Sequence, residues 1–362
     1  MTVSDDRLGL ADSSRDITSR PGSAPPGVRP RPRRPLSAPP PTGPDDLPRY
    51  LLATALLADA DELDTAYAAC EIAADAAAGW HAPAAQAAVY SLRGSVSRRL
   101  GDLSVAERDG RVAARLLAVA GTDPRGGTDP RGGGATLLVA RRIAVLLDIG
   151  DVEDADALLA DFGDEPPEGP GCPTFRFVRG RLHAAAGRPG EALADIFSCG
   201  ERLAARQADR PAVLPWRSAA AAILAGTGTR ESATRLVEAE VALCRRAGTA
   251  SAMSRPSALG RALRIQGRVL GAPSGIAPLE EAIRVLEGSP RRFEYAQALV
   301  DCGELLNAAR RKPQARRVLR EGLELAERCG SPALIERARA GYAVAAGKVR
   351  PPAQRQAGLG GP

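Results

Sequence analysis

Apolar side chains recur along most of this chain with the period of an α-helix. Over residues 295–309, Tyr295, Leu299, Cys302, Leu306 and Ala309 fall at offsets 0, 4, 7, 11 and 14, and Ala315, Val318, Leu319, Gly322, Ala326 and Cys329 nearly repeat them over 315–329. Leu63, Ala66, Tyr67, Cys70, Ala74 and Ala77 make an earlier stripe of the same kind. Each spacing predicts one amphipathic helix of four to five turns. β-branched and aromatic runs, the usual strand signal, are nearly absent.

Punctuation between the stripes repeats as well. Turns of the form Gly-x-x-x-x-Ala occur at Gly101–Ala106, Gly150–Ala155, Gly187–Ala192 and Gly228–Ala233, with weaker versions at Asp61–Ala66 and Arg310–Ala315. The Gly ends one helix in the left-handed conformation, and the Ala sits in the first turn of the next, where two helices cross closely. Pro83, Pro173, Pro211, Pro256, Pro290 and Pro332 each stand where a first-turn proline would fit. Gly288-Ser289-Pro290 and Gly330-Ser331-Pro332 read as the same sequence of helix stop, N-cap and first turn, 42 residues apart. From Pro173 onward the intervals are 38, 45, 34 and 42 residues. The 90 residues from Pro83 to Pro173 include a tandem TDPRGG duplication at 122–133; without those 12 residues the remainder is two units of 39.

A unit of about 40 residues built from two antiparallel helices predicts an all-α, right-handed superhelical solenoid of tetratricopeptide-like (TPR-like) hairpins. A single hairpin cannot bury its own stripe, so six to seven stacked units share one core. The segment 163–173, with four prolines, is the expected break in regularity. Residues 1–48 are rich in Pro, Gly, Ser and Arg and read as a disordered tail, 49–346 as the repeat domain, and 347–362 as a second tail. The run Pro30-Arg31-Pro32-Arg33-Arg34-Pro35 has polyproline chemistry, but in this setting it reads as solvated linker.

Composition sharpens the picture. Hydrophobic residues are 44% of the chain and aromatics only 3%, so the core must be largely Ala, Leu and Val. The formal charge is +6, and only Lys312 and Lys348 are lysines, an Arg bias that a GC-rich genome produces without selection for a ligand. Residues 291–355 hold 14 Arg and Lys against 7 Asp and Glu. Arg310, Arg311, Arg316, Arg317, Arg320, Arg337 and Arg339 are interleaved with Glu321, Glu324, Glu327 and Glu336, which reads as a salt-bridged solvated face, and direct DNA binding is not expected.

Catalytic chemistry finds little to stand on. No Gly-x-x-x-x-Gly-Lys-[Ser/Thr] loop occurs, and Gly226-Thr227-Gly228-Thr229 lies between helices instead of after a strand. His81 and His183 are far apart with no nucleophile elbow nearby. The six cysteines (Cys70, Cys172, Cys199, Cys244, Cys302 and Cys329) are scattered with no CxxC pair, which reads as reduced core thiols in a cytoplasmic protein. No 18-residue apolar run occurs, so no membrane span is expected. The reading is of a non-enzymatic interaction module that needs no cofactor and no metal.

Several runs carry a resemblance. Ala60-Asp61-Glu62-Leu63-Asp64-Thr65-Ala66, Arg99-Leu100-Gly101-Asp102-Leu103, Arg179-Gly180-Arg181-Leu182 and Gly187-Arg188-Pro189-Gly190-Glu191-Ala192-Leu193-Ala194-Asp195 are four of them. Leu286-Glu287-Gly288-Ser289-Pro290 and the more specific Pro211-Ala212-Val213-Leu214-Pro215-Trp216-Arg217-Ser218 complete the set. With these, residues 50–346 resemble the helical repeat region of large ATP-binding LuxR-type (MalT-like) transcriptional regulators of actinobacteria. The resemblance implies a middle region that senses an inducer or partner between an NTPase and a DNA-binding helix-turn-helix, neither of which is expected here. A protein or small-molecule effector is then expected on the concave face, with possible association with a separate NTPase or DNA-binding regulator. Tyr90, Arg142, Arg176, Trp216, Arg217, Arg264 and Tyr295 are the candidate contacts, as polar or aromatic positions on the first helix of each hairpin. Two other readings stay open: a LuxR-family regulator binding DNA through its basic C-terminal end, and an inactive truncated remnant of one.

Overall fold

The computed structural model describes residues 39–121, 133–163, 169, 171–250 and 256–348. The Pro/Arg-rich tail up to residue 38, all but the last residue of the TDPRGG duplication, most of the proline-rich loop 163–173 and the tail beyond 348 lie outside the described residues. Within them every regular element is a helix. In chain order these are α1 (Leu47–Asp59), α2 (Leu63–Ala78), α3 (Pro83–Leu100), α4 (Leu103–Ala120), α5 (Gly133–Ile149), α6 (Val152–Phe162), α7 (Cys172–Ala185) and α8 (Pro189–Ala205). There follow α9 (Trp216–Gly226), α10 (Arg230–Ala250), α11 (Pro256–Leu270), α12 (Ile276–Glu287), α13 (Arg292–Ala308), α14 (Lys312–Cys329) and α15 (Pro332–Ala345).

Consecutive helices pair as antiparallel hairpins, α1 with α2 through α13 with α14, and α15 caps the last pair. Stacked side by side, the hairpins form the right-handed superhelical solenoid of TPR-like units. The turn inside every hairpin contains one residue with positive φ: Asp61, Gly101, Gly150, Gly187, Gly228, Gly271 and Arg310. Six of these belong to the turns read from the sequence. Gly271 escaped because the residue five places on is Ile276, not Ala. That fifth residue is buried in every hairpin (Ala66, Ala106, Ala155, Ala192, Ala233, Ile276 and Ala315). A small side chain there lets the two helices approach closely. Gly94 of α3 and Gly180 of α7 meet the same crossing from the other side: a Cβ added to them would lie 3.1 Å from the Ala106 carbonyl and 2.9 Å from the Ala192 carbonyl.

Prolines start helices where expected at Pro83, Pro173, Pro256 and Pro332, but not at Pro211 or Pro290. After Pro211 the chain meets Pro215, which pushes Leu214 out of the helical region and delays α9 to Trp216. At 288–290 the Ser289 hydroxyl accepts from the Arg291 amide at 3.2 Å, so α13 begins after Arg291. The parallel motif does act as read: the Ser331 hydroxyl accepts from the Leu334 amide at 3.3 Å and caps α15.

Successive turns of the superhelix touch. The α3/α4 turn packs against the start of α13, and the α5/α6 turn against the start of α15. The α1/α2 turn meets the start of α11 and the residue before α13, where Asp61 takes Ser257 and Arg291. Each turn therefore meets a helix five hairpins further along, so five hairpins make one superhelical turn. Because the C-terminal end of one first helix meets the N-terminal end of another, the rise per turn is close to one helix length, roughly 27 Å for the eighteen residues of α3.

Glycine is required at two of these contacts for space as well as backbone angle. A Cβ on Gly101 (φ +91°) would lie 2.9 Å from Cys329 Sγ and 3.0 Å from the Phe293 amide nitrogen; one on Gly150 (φ +104°) would lie 2.6 Å from Ala333 Cβ. Gly187 has the same backbone conformation (φ +76°) but faces open space. In urea denaturation we expect Gly187→Ala to cost about 1 kcal/mol, the left-handed penalty alone, and Gly101→Ala about 3 kcal/mol, because it must also part the two turns. Equal costs would mean that the turns do not touch.

Candidate functional site

The first helices of the hairpins face the superhelix axis. From α3 round to α13 they border a solvent-open cavity of about 290 Å³, lined by residues of α3, α5, α7, α9, α11 and α13 and by the loop before α9. Its lining descends along the helices: Arg98 and Arg99 near the end of α3, Asp148 at the end of α5, Arg181 in mid α7, Ser218 and Ala222 in α9, Arg261 and Arg264 in α11, and Phe293 and Glu294 in the first turn of α13. That descent is the superhelical rise, and it brings the two ends of the row together.

The walls are of two kinds. Phe177, Val213, Ile223, Ile265 and Phe293 supply apolar lining. The same helices carry a network of guanidinium and carboxylate groups. Asp148 Oδ2 accepts from Arg98 at 2.7 Å and its Oδ1 from Arg181 at 2.8 Å. Arg99 donates to Asp59 at 2.8 Å, and Arg291 Nε donates to Asp61 Oδ1 at 2.7 Å, while the Ser257 hydroxyl donates to Asp61 Oδ2 at 2.5 Å. Glu294 Oε1 accepts from Arg261 at 3.1 Å and Arg291 at 3.5 Å; Arg261 also donates to the Pro211 carbonyl at 2.7 Å. Arg264 donates to Asp301 at 2.8 Å. The Ser331 hydroxyl donates to the Asp148 carbonyl at 2.7 Å, tying the start of α15 to the same wall.

Burial alone would raise the carboxylates of Asp61, Asp148, Glu294 and Asp301, but the arginines beside them hold all four below the ordinary range, so they are charged at neutral pH. Burial, with Arg291 alongside, pulls the Arg99 guanidinium down to about 10 despite its bond to Asp59. Burial likewise takes Arg141 down to about 10, its hydrogen bond being to the Ser91 hydroxyl at 3.3 Å.

Among the seven residues proposed from the sequence, Arg264 lines the cavity. The others stand elsewhere. Tyr90 lies under the Arg93 guanidinium at 4.9 Å, and Arg142 borders a smaller recess of about 50 Å³ between α3, α4 and α5. Arg176 approaches Asp195 of α8 at 3.9 Å. Trp216 sits between α8 and α9: a Cβ on Gly200 would lie 2.7 Å from its indole, Phe197 packs edge-on at 6.3 Å, and its Nε1 donates to Asp209 at 3.2 Å. Arg217 stacks on that indole at 4.3 Å and donates both Nη atoms to the same Asp209. Tyr295 is buried, and its hydroxyl donates to Glu321 of α14 at 2.6 Å. These six do not line the cavity. Sequence reasoning missed Arg98, Arg99, Asp148, Arg181, Arg261, Arg291 and Glu294, although Arg99 and Arg181 lie inside runs singled out for their resemblance.

Other expected chemistry is placed as follows. All six cysteines are free; burial pushes Cys70, Cys199, Cys302 and Cys329 up to about 12 and Cys244 to about 11, far from reactive thiolates. Among the described residues no group of His, Cys, Asp and Glu could hold a metal ion, and no helix is long and apolar enough to cross a membrane. In the basic C-terminal part, Arg337 donates to Asp301 and Glu304 of α13, and Arg339 to Glu327 of α14. These pairs run between helices.

No family model and no curated protein sequence matches this chain. Among solved structures it is similar to a Rap protein complexed with competence and sporulation factor, with a TM-score of 0.58 over 81% of this chain and 76% of that one, at 13% identity. At that identity the likeness is one of fold, a TPR-like helical solenoid.

The Asp61–Arg291 pair joins hairpins 230 residues apart in sequence and can be tested by pH. Asn tolerates the left-handed backbone of Asp61 (φ +64°), so Asp61→Asn removes the charge and little else. Because the folded-state pKa of Asp61 lies below its ordinary value, the stabilisation is present above about pH 4 and disappears as pH falls through the folded value. Asp61→Asn should lower stability at pH 7 by about 3 kcal/mol and flatten the acid limb of the stability profile. An unchanged acid limb would show that this pair contributes nothing to it.

Proposed function

We propose that this chain is a non-enzymatic TPR-like binding module that holds a small effector or a short segment of a protein partner inside its superhelical lumen. The observation that carries the reading is the lumen itself. First helices of six hairpins converge on one cavity that combines apolar lining with fixed polar groups, the composition of a ligand site. Its polar groups are held by one another, as with Arg98 and Arg181 on Asp148, or by partners outside the cavity, as with Arg99 on Asp59 and Arg264 on Asp301, so they are positioned before any ligand arrives. The fold likeness to a Rap protein that was solved with a bound factor supports a ligand on this architecture. The resemblance of residues 50–346 to the sensor region of LuxR-type regulators supports a regulatory setting, in which a separate NTPase or DNA-binding chain would read the loaded state. The free, buried cysteines suit a reducing, cytoplasmic environment.

Ala222 offers a clean test, because it lines the cavity, is exposed to it, and is helical on both sides. Ala222→Trp should leave the melting temperature within about 2 °C of the parent, as surface substitutions do, while filling the lumen. Both proteins are incubated with an extract of the source cells, recovered under native conditions and denatured, and released small molecules and peptides are identified by mass spectrometry. A compound retained by the parent and lost from the variant is the expected result. Identical retention by the two would mean that the lumen is not the binding site.

A further inference from the structure

Resting on the lumen as the binding site, we infer that its ligand carries an oxyanion, a carboxylate or a phosphate, received by the arginine wall formed by Arg98, Arg99, Arg181, Arg261 and Arg264. Six guanidiniums line the cavity, these five and Arg291, against two carboxylates, Asp148 and Glu294. Acids behind the wall narrow this gap without closing it: Asp59 pairs with Arg99 and Asp61 with Arg291, while the remaining acids are shared. Asp148 is divided between Arg98 and Arg181, and Glu294 between Arg261 and Arg291. Asp301, behind Arg264, also takes Arg268 and Arg337.

Hydrogen bonding shows the same deficit. A guanidinium has five N–H donors and no acceptor. The buried Nε atoms of Arg261 and Arg264 have no hydrogen-bond partner in the structure, so this wall has more donors than acceptors. Such groups cost free energy unless an acceptor completes them. An oxyanion supplies several acceptor lone pairs and negative charge in one group, and the planar fork of arginine matches carboxylate and phosphate alike. The wall contains one feature of the opposite sign. Glu294 Oε2 is buried without a donor. The apolar lining of Phe177, Ile223 and Ile265 would take the remainder of the molecule.

Full-length protein is titrated by calorimetry with citrate and with pyrophosphate, in buffers brought to equal ionic strength with sodium chloride. Arg181→Gln is the informative variant, because Asp148 keeps Arg98 as partner and the Arg181 side chain is already one-third exposed. Arg245→Gln removes the same charge from the outer face, where Arg245 pairs with Glu281. We expect at least one probe to bind the parent and Arg245→Gln equally, to bind Arg181→Gln roughly tenfold or more weakly, and to recover in part with Arg181→Lys. Preference for citrate or for pyrophosphate assigns the oxyanion to carboxylate or phosphate. Absence of binding by both probes, or equal weakening in Arg181→Gln and Arg245→Gln, overturns the inference. Nile red, which is uncharged, separates the two levels of the argument. If it binds the parent and is lost from Ala222→Trp while neither anion binds, the lumen is a site for a neutral ligand and only the oxyanion is wrong. If Nile red and both anions fail alike, the lumen reading falls as well.

Discussion

Contact between successive turns of the superhelix is the constraint from which the remaining architecture follows. An open solenoid presents a broad concave surface, and each unit contacts only its neighbours. Here the turns at the ends of α3 and α5 rest against the starts of α13 and α15, and Asp61 is bonded to Arg291 across 230 residues of sequence. That closure deepens the concave surface into a lumen that remains open to solvent. It also fixes the superhelical rise at one helix length, which decides which residue of each first helix faces the cavity. A buried Arg–Asp pair is weak evidence for stability taken alone, since a hydrophobic replacement can do as well. Its consequence in this chain is registry: only one stacking brings Asp61 to Arg291 and Gly150 to Ala333 together.

The same closure explains the charge of the interior. Arg98 and Arg99 come from the second hairpin and Arg291 from the join before the seventh, and they are neighbours only because the superhelix returns to its starting point. Each carboxylate of the wall neutralises its nearest cations, and burial strengthens that coupling. Asp148, Glu294 and Asp301 are each shared among two or three arginines, so the guanidiniums of the wall outnumber its acids while each is held in place.

Much of the fold was legible in the sequence. Helical periodicity and the recurrence of Gly-x-x-x-x-Ala gave the hairpins, because the left-handed turn and the small residue at the crossing are local requirements that each unit must meet by itself. The exceptions have local causes: Ile276 replaces Ala after Gly271, Pro215 delays α9, and Ser289 turns to the Arg291 amide instead of starting a helix. The site was far less legible. A repeat suggests that functional residues recur at one register, and the candidates were chosen by residue type on first helices. In the structure the lining slides from the last turn of α3 to the first turn of α13, so no fixed register marks it. Trp216 and Tyr295 were chosen as aromatic positions on first helices, and their side chains pack between helices, against Gly200 for one and Glu321 for the other. Gly101 and Gly150 were read as helix ends, which they are; their second role, the close approach of the next superhelical turn, depends on partners more than 180 residues away.

The most direct test of the closed superhelix is a double-mutant cycle on Asp61 and Arg291, with Asp61→Asn, Arg291→Gln and the double variant measured by urea denaturation at pH 7. Residues far apart do not couple, whereas partners in one buried network do so by about 0.5–3 kcal/mol. The closed superhelix predicts a coupling of at least about 1 kcal/mol, with the double variant losing clearly less than the sum of the two single losses. Strict additivity would place Asp61 and Arg291 out of contact in solution and contradict both the closure and the lumen that depends on it.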